Sequence, residues 1–295
     1  MSKKLLNKRI LTGFQILVAI LANGYVVMKF LSRGQGLFDY SLGWSWYLFF
    51  AVLLMPVNYF MEAKKWQVLL SSQRRVDFWE SLFIVLRSIP YGILTPWRVG
   101  EWYGRAEVER KKFESSVLAA LGGYIQQLVT VSFGILGVIG IFGFAKSATV
   151  WLIVVLMVLL GYFLVKKAYL ILPGFKFLRG LDFRLYLRTS IWAVLRYLVF
   201  SFQYVLVLKF VGVEAGFLYL FFSVAVIYLT INVLPLSSFT DFGVRSSAAI
   251  FLLEKSGNVL AISLAGLLVW GINVGLSTVL GSVLIFHGVF ARKQI

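Results

Sequence analysis

The chain has 295 residues, of which 60% are hydrophobic and 17% aromatic, with a mean hydropathy of +0.87 and a formal net charge of +17. Charged residues make up only 14%, against about 25% in soluble domains, which excludes a large soluble catalytic domain and points to a membrane protein. There is no cysteine, which excludes disulfides, thiol nucleophiles and thiolate-held metal; the one histidine, His287, reads as an interfacial side chain near the end of the last span.

The apolar runs are continuous, as in spanning helices, and do not alternate as barrel strands would. In chain order, full spans are predicted at 10–30, 42–61, 115–142, 149–166, 189–211 and 258–288. The first follows Lys3, Lys4, Lys8 and Arg9. It is too long for the apolar part of a cleaved signal, and no small-x-small site follows, so it reads as a retained helix with its N-terminus in the cytoplasm. Two further apolar stretches are interrupted. Residues 78–97 contain Arg87, Pro90, Gly92 and Pro96; residues 214–255 are broken by Leu234-Pro235 and the polar run from Ser237 to Arg245.

The basic residues decide what the broken stretches do. Lys64, Lys65, Arg74 and Arg75 precede 78–97, and Arg98, Arg105, Arg110, Lys111 and Lys112 follow it. Both flanks therefore carry the cytoplasmic signature, and a segment with both ends on one side dips in and returns. Pro90 and Pro96, which remove backbone donors, are expected to break the helix at the turn. Continuing the count puts Lys166, Lys167, Lys176, Arg179, Arg184 and Arg188 inside and makes 214–255 a second hairpin, entering from the other side. The reading is all-α: six full spans plus two re-entrant hairpins in one membrane domain, with pseudo-repeats 1–145 and 146–295 inverted relative to one another. Eight ordinary transmembrane helices with kinks is the alternative. An inverted repeat with broken helices meeting at mid-depth is a transporter layout. The positive charge, spread over short loops, fits the anionic lipids of the inner (cytoplasmic) membrane and not a nucleic acid.

The candidate site residues lie at the breaks. Arg98, Glu101 and Arg105 open a short helix predicted over 100–112, with Glu101 and Arg105 one turn apart on one face. Two guanidiniums can grip a phosphate by paired hydrogen bonds, with a carboxylate orienting one of them; a surface helix with routine ion pairs is the plainer reading. Asp241 and Arg245, also four apart, are a charge pair that lines a path or pins the second hairpin. Asn58, Glu62 and Trp66 share a helix face. Trp66 reads as an interfacial anchor, which leaves Asn58 and Glu62 unexplained so early in a bilayer. Arg87 is placed to meet Glu80 or Glu101, and Arg196 to snorkel to the cytoplasmic edge. Glycines 134, 137, 140 and 143, and the pair Gly271 and Gly275, read as close helix packing. No phosphate-binding loop, dinucleotide fingerprint, metal spacing or nucleophile–base arrangement is present, so neither a cofactor nor an enzyme activity is expected.

Taken together, Asn58-x3-Glu62-x2-Lys65-Trp66-x2-Leu69-Leu70, Thr95-Pro96-x-Arg98-x-Gly100-Glu101-x3-Arg105, and Leu234-Pro235 followed by Asp241-x-Gly243-Val244-Arg245 resemble the signatures of the lysylphosphatidylglycerol synthase transmembrane region, or flippase-like domain, family. The resemblance runs over nearly the whole chain. It implies a lipid-handling membrane domain that moves a phospholipid or polyprenyl-linked lipid. In bifunctional members a separate soluble domain makes the aminoacylated lipid; these 295 residues hold no such domain. Many relatives carry Gly-Gly and a Glu around the late motif, where this chain has Thr240-Asp241 and Arg245-Ser246, so the cargo is left open. The expected partners are membrane lipids with anionic headgroups. A second reading is a non-transporting accessory subunit docking a cytosolic glycosyl- or acyltransferase through the basic 166–188 loop.

Overall fold

The computed structural model describes residues 17–32 (except 19 and 30), 45–146 (except 94), 177–234 (except 179) and 241–292, with side chains apart from those of 144–146 and 287–292. Every regular element among them is helical: α1 (20–29), α2 (Trp46–Leu70), α3 (Phe78–Gly92), a 3-10 turn (Pro96–Arg98), α4 (Gly100–Glu107), α5 (Lys112–Lys146), α6 (Phe183–Phe210), α7 (Phe217–Val233), α8 (Asp241–Leu253), α9 (Val259–Trp270), a π-helical segment (Gly271–Gly275) and α10 (Leu276–Arg292). Four helices among the described residues are long and apolar enough to cross a membrane: Trp46–Leu70, Lys112–Gly143, Phe183–Phe210 and Val259–Phe286. The fold is therefore that of an all-α membrane protein. The span predicted at 149–166 and most of the basic 166–188 loop lie outside the described residues.

Side-chain caps set where several helices start. Asp77 accepts from the Glu80 amide at 2.6 Å, Asp182 from the Arg184 amide at 3.2 Å, and Asn258 from the Leu260 amide at 2.8 Å. Each satisfies an amide that the first turn leaves free.

The two interrupted stretches fold back on themselves. At the root of the first, the Arg74 guanidinium donates to both Glu109 oxygens at 2.9 Å, and Ser115 Oγ donates to Gln73 Oε1 at 2.9 Å. Arg74 also reaches Glu80 at 2.6 Å. The two acids hold its proton more firmly than a free guanidinium would. At the root of the second, the Glu214 amide donates to the Ser256 carbonyl at 2.7 Å, and Tyr219 Oη donates to the Leu252 carbonyl at 3.0 Å. Chain entry and exit thus lie together in both. At 15 residues, α3 is about 22 Å long at 1.5 Å per residue, short of the roughly 30 Å hydrocarbon core.

Packing follows one scheme in both halves. The long helices α2 and α6 pack on each other at the centre. α3 lies on α2 as α7 lies on α6, α4 on α5 as α8 on α9, and α3 meets α10 as α7 meets α5. Two separate hydrophobic clusters result. One is built around Trp66, Leu69, Val85 and Leu118, the other around Leu208, Leu220, Ile250 and Ile262.

Glycine makes two of these contacts close. A Cβ at Gly134 or Gly137 would strike Leu229 or the Phe222 carbonyl of α7, and one at Gly281 would strike the Leu86 carbonyl and Pro90 of α3. Pro90 does not break α3, contrary to the sequence reading; the helix runs through it to Gly92. Pro90 has no amide to offer the Leu86 carbonyl, and it is against this turn that Gly281 packs. The break falls beyond Gly92 at the 3-10 turn Pro96–Arg98, opened by the second predicted proline, where Trp97 and Arg98 take left-handed backbone conformations with φ of 49° and 56°. Among the described residues Gly271 and Gly275 do not mediate a close approach: nothing lies within 4 Å of a Cβ at Gly271, and Gly275 meets only Trp270. They bracket the π segment instead.

Candidate functional site

A chain of buried polar groups runs through the contact between α2 and α6. Helix α2 continues nine residues past the predicted end at 61, to Leu70, so Glu62, Lys65 and Trp66 lie inside a packed helix and not at its edge. Glu62 is 3% exposed and Lys65 1%. Glu62 is the common partner of three cations: Lys65 at 2.6 Å, Arg105 of α4 at 2.6 Å and Arg196 of α6 at 2.8 Å. Three cations converge on one buried carboxylate, and its loss would leave all three without it.

The network extends on both sides. Arg196 Nε donates to Asn58 Oδ1 at 2.9 Å, Asn58 Nδ2 to Asn273 Oδ1 at 2.9 Å, and Asn273 Nδ2 to Gln203 Oε1 at 2.7 Å. Asn273 sits in the π segment, whose wider turn carries it toward α2 and α6; such bulges recur at functional sites. On the other side, Lys65 donates to Gln126 of α5 at 3.3 Å, and Gln126 donates to the Ala193 carbonyl at 3.1 Å.

The hairpins bring two further pairs to this network. Arg98 meets Glu101 at 2.5 Å, and Arg105 lies 3.5 Å from the other Glu101 oxygen. On α8, Arg245 donates to both Asp241 oxygens, at 3.2 and 2.7 Å, and its guanidinium lies 5.6 Å from the Tyr228 ring. The second helix of each hairpin therefore carries in its first turn an acid followed four residues later by an arginine: Glu101 and Arg105 on α4, Asp241 and Arg245 on α8.

Two adjoining cavities lie where these groups converge. One, of about 260 Å³, is lined by Asn58, Arg98, Arg196, Asp241, Arg245 and Asn273, among others. The second, of about 180 Å³, is lined by Glu62, Lys65, Glu101 and Arg105. Trp97, Arg98, Gln126, Gln127, Arg196 and Asn232 belong to both walls. The left-handed Trp97-Arg98 pair thus stands at the partition. Two consecutive non-glycine residues there cost about 1–2 kcal/mol each, and strain of this kind gathers at functional sites.

Seven of the eight residues singled out from sequence converge here: Asn58, Glu62, Arg98, Glu101, Arg105, Asp241 and Arg245. Arg87 does not. It pairs with neither Glu80 nor Glu101 but lies over the Phe83 ring at 5.4 Å, because Phe83 occupies the same face one turn back and Glu80 is already held by Arg74. Arg196 turns inward to Glu62 and does not snorkel. Trp66 is fully buried, with the Arg105 guanidinium 5.4 Å from its ring, and is not an interfacial anchor.

Sequence reasoning passed over Gln126, Gln127, Asn232 and Asn273. The available signal was a carboxamide in the middle of an apolar run. Among the described residues no cluster of metal-ligating side chains occurs. No protein-family model matches the chain, and no curated protein matches it in sequence.

Proposed function

We propose that this chain is a flippase-like protein of the inner membrane that takes an anionic lipid headgroup into the cavities between its two hairpins while the acyl chains stay in the bilayer. The observation that carries this reading is the larger cavity itself. Three arginines, from the first hairpin (Arg98), a long central helix (Arg196) and the second hairpin (Arg245), face one space beside neutral amides. Charged groups at such depth are costly and mark a substrate path. Arginine is suited to phosphate by its forked donors.

The matching contacts of the two halves support an inverted repeat, and the joined roots of 78–107 and 217–253 support two re-entrant hairpins, entering from opposite faces. In that arrangement the N-terminus is cytoplasmic, and the site lies at mid-depth, as in transporters built from inverted repeats. The resemblance to the flippase-like domain family points the same way. No nucleotide-binding motif is present in the sequence, so a gradient or the binding of the lipid itself drives the motion.

The test is a headgroup-accessibility assay in proteoliposomes. Arg98→Ala and Glu101→Gln, each at wild-type abundance, should slow appearance of labelled lipid in the opposite leaflet. Wild-type rates for both would refute the reading.

A further inference from the structure

The charges around the two cavities do not balance, and the surplus identifies the occupant. The larger cavity is walled by three guanidiniums, of Arg98, Arg196 and Arg245, against one carboxylate, Asp241. The smaller one adds two cations, Lys65 and Arg105, and two carboxylates, Glu62 and Glu101. These additions cancel. Each carboxylate lies within 2.8 Å of a cation, so none is left to offset the remaining guanidiniums, which are always charged. By formal charge, the described walls therefore carry a surplus of two positives in a space partly enclosed by helices.

A surplus of this kind is costly in a low-dielectric site unless an anion neutralises it. The bonding capacity is also unfilled. Arg98 Nε is buried without a hydrogen-bond partner among the described residues, and Glu62 is shared by three cations, so none of them has it alone.

Resting on the headgroup reading above, we infer that the cavities take a lipid whose phosphate end carries two negative charges, in preference to a phosphodiester lipid with one. A dianion cancels the surplus; a monoanion leaves one cation uncompensated; a zwitterionic or cationic headgroup leaves both. Arg98, Arg196 and Arg245 are the residues that hold it. Gln127 and Asn232, on the wall common to both cavities, offer neutral donors beside it.

The experiment uses the purified full chain in maltoside micelles, titrated with three probes: dihexanoyl phosphatidic acid, dihexanoyl phosphatidylglycerol and inorganic phosphate. The rise in thermal midpoint reads binding. At pH 8 the phosphatidic acid should half-saturate at a concentration about tenfold below the phosphatidylglycerol, the second charge acting at short range in a weakly screened site. A phosphate monoester loses its second charge below about pH 6. Lowering the pH to 5.5 should therefore shrink the preference, while phosphatidylglycerol binding changes little.

Arg98→Gln removes one of the two surplus charges and leaves Glu101 beside Arg105; it should bring the ratio below about threefold. Equal affinities for the two lipids at pH 8 would overturn the inference. Inorganic phosphate binding as tightly as phosphatidic acid would overturn a lipid as the source of the dianion. The transport reading fails separately: a chain that prefers the dianion but moves no lipid refutes translocation alone. A chain that binds and moves both lipids equally refutes the dianion alone.

Discussion

Arg105 on α4 reaches Glu62 on α2 at 2.6 Å across 43 residues of chain, and in doing so fastens the first hairpin to the central helix. The pair is buried, at 6% and 5% side-chain exposure. Neither charge is well solvated once its partner is gone.

Glu62→Gln removes the carboxylate that Lys65, Arg105 and Arg196 share. Breaking a buried ion pair from one side costs about 3–5 kcal/mol, and here the loss should appear as a thermal midpoint lowered by on the order of 10 °C. Adding Lys65→Met to Glu62→Gln should recover part of it, because one of the stranded cations is then removed as well. An unchanged midpoint in Glu62→Gln would show that the hub is not structural.

The root of the first hairpin makes a second prediction. Glu109 is 6% exposed, and Arg74 donates to both of its oxygens. Arg74→Met leaves that carboxylate buried and unpaired and should cost about 3 kcal/mol, read by thermal unfolding in detergent. Arg74→Lys should rescue it only in part, since an ammonium cannot reproduce the two-pronged contact. Arg75→Ala, at an exposed neighbour with no ion pair among the described residues, should change the midpoint little.

Two glycines should respond in opposite ways. Gly137→Val drives a side chain into the Phe222 carbonyl and Ala225 of α7 and should destabilise by about 1–3 kcal/mol. Gly271→Ala meets nothing within 4 Å among the described residues, at a helical backbone position, and should be neutral or stabilise by up to about 1 kcal/mol. Comparable losses at the two sites would contradict the packing described for α5 and α7.

The orientation of the two hairpins can be read by labelling, because the chain has no cysteine of its own. Single cysteines at Arg75 and Lys111, flanking the first hairpin, should react with an impermeant maleimide from one face of the membrane. Cysteines at Glu214 and Lys255, flanking the second, should react from the other. Labelling of Arg75 and Lys111 from opposite faces would replace the first hairpin by an ordinary crossing.

The sequence was most informative where charge interrupts apolarity. Glu62, Arg98, Glu101, Arg105, Asp241 and Arg245 stand out because a bilayer tolerates such residues only for a reason, and all six meet at the cavities. Spacing predicted the pair Asp241–Arg245 correctly. It also set Glu101 beside Arg105, but that contact is the longer one, since Arg105 bonds more closely to Glu62, and no local periodicity reports a contact between residues so far apart. Arg196 was misread for the same cause. A lone arginine eight residues into a span can snorkel or turn inward, and the inward choice depends on Asn58 and Glu62 of another helix.

The proline rule held at Pro96, which opens the turn after α3, and failed at Pro90. Pro90 lies within α3, whereas the turn is made by Trp97 and Arg98, which no propensity would place in left-handed conformations. Asn273 was hidden because its role depends on a π segment, and nothing in the residue pattern of Gly271–Gly275 distinguishes that from an ordinary helical turn.

The two hairpins are fastened at their roots, by Arg74 to Glu109 and by the Glu214 amide to Ser256, while their far ends carry the residues that face the cavities. A body clamped at one end and loaded at the other swings as a lever. A small tilt about each root would carry Arg98 or Arg245 through a larger arc, with no change in the length of the connecting chain. Arg105 on Glu62 ties the first arm to α2, so any such tilt would have to be taken up at that buried pair.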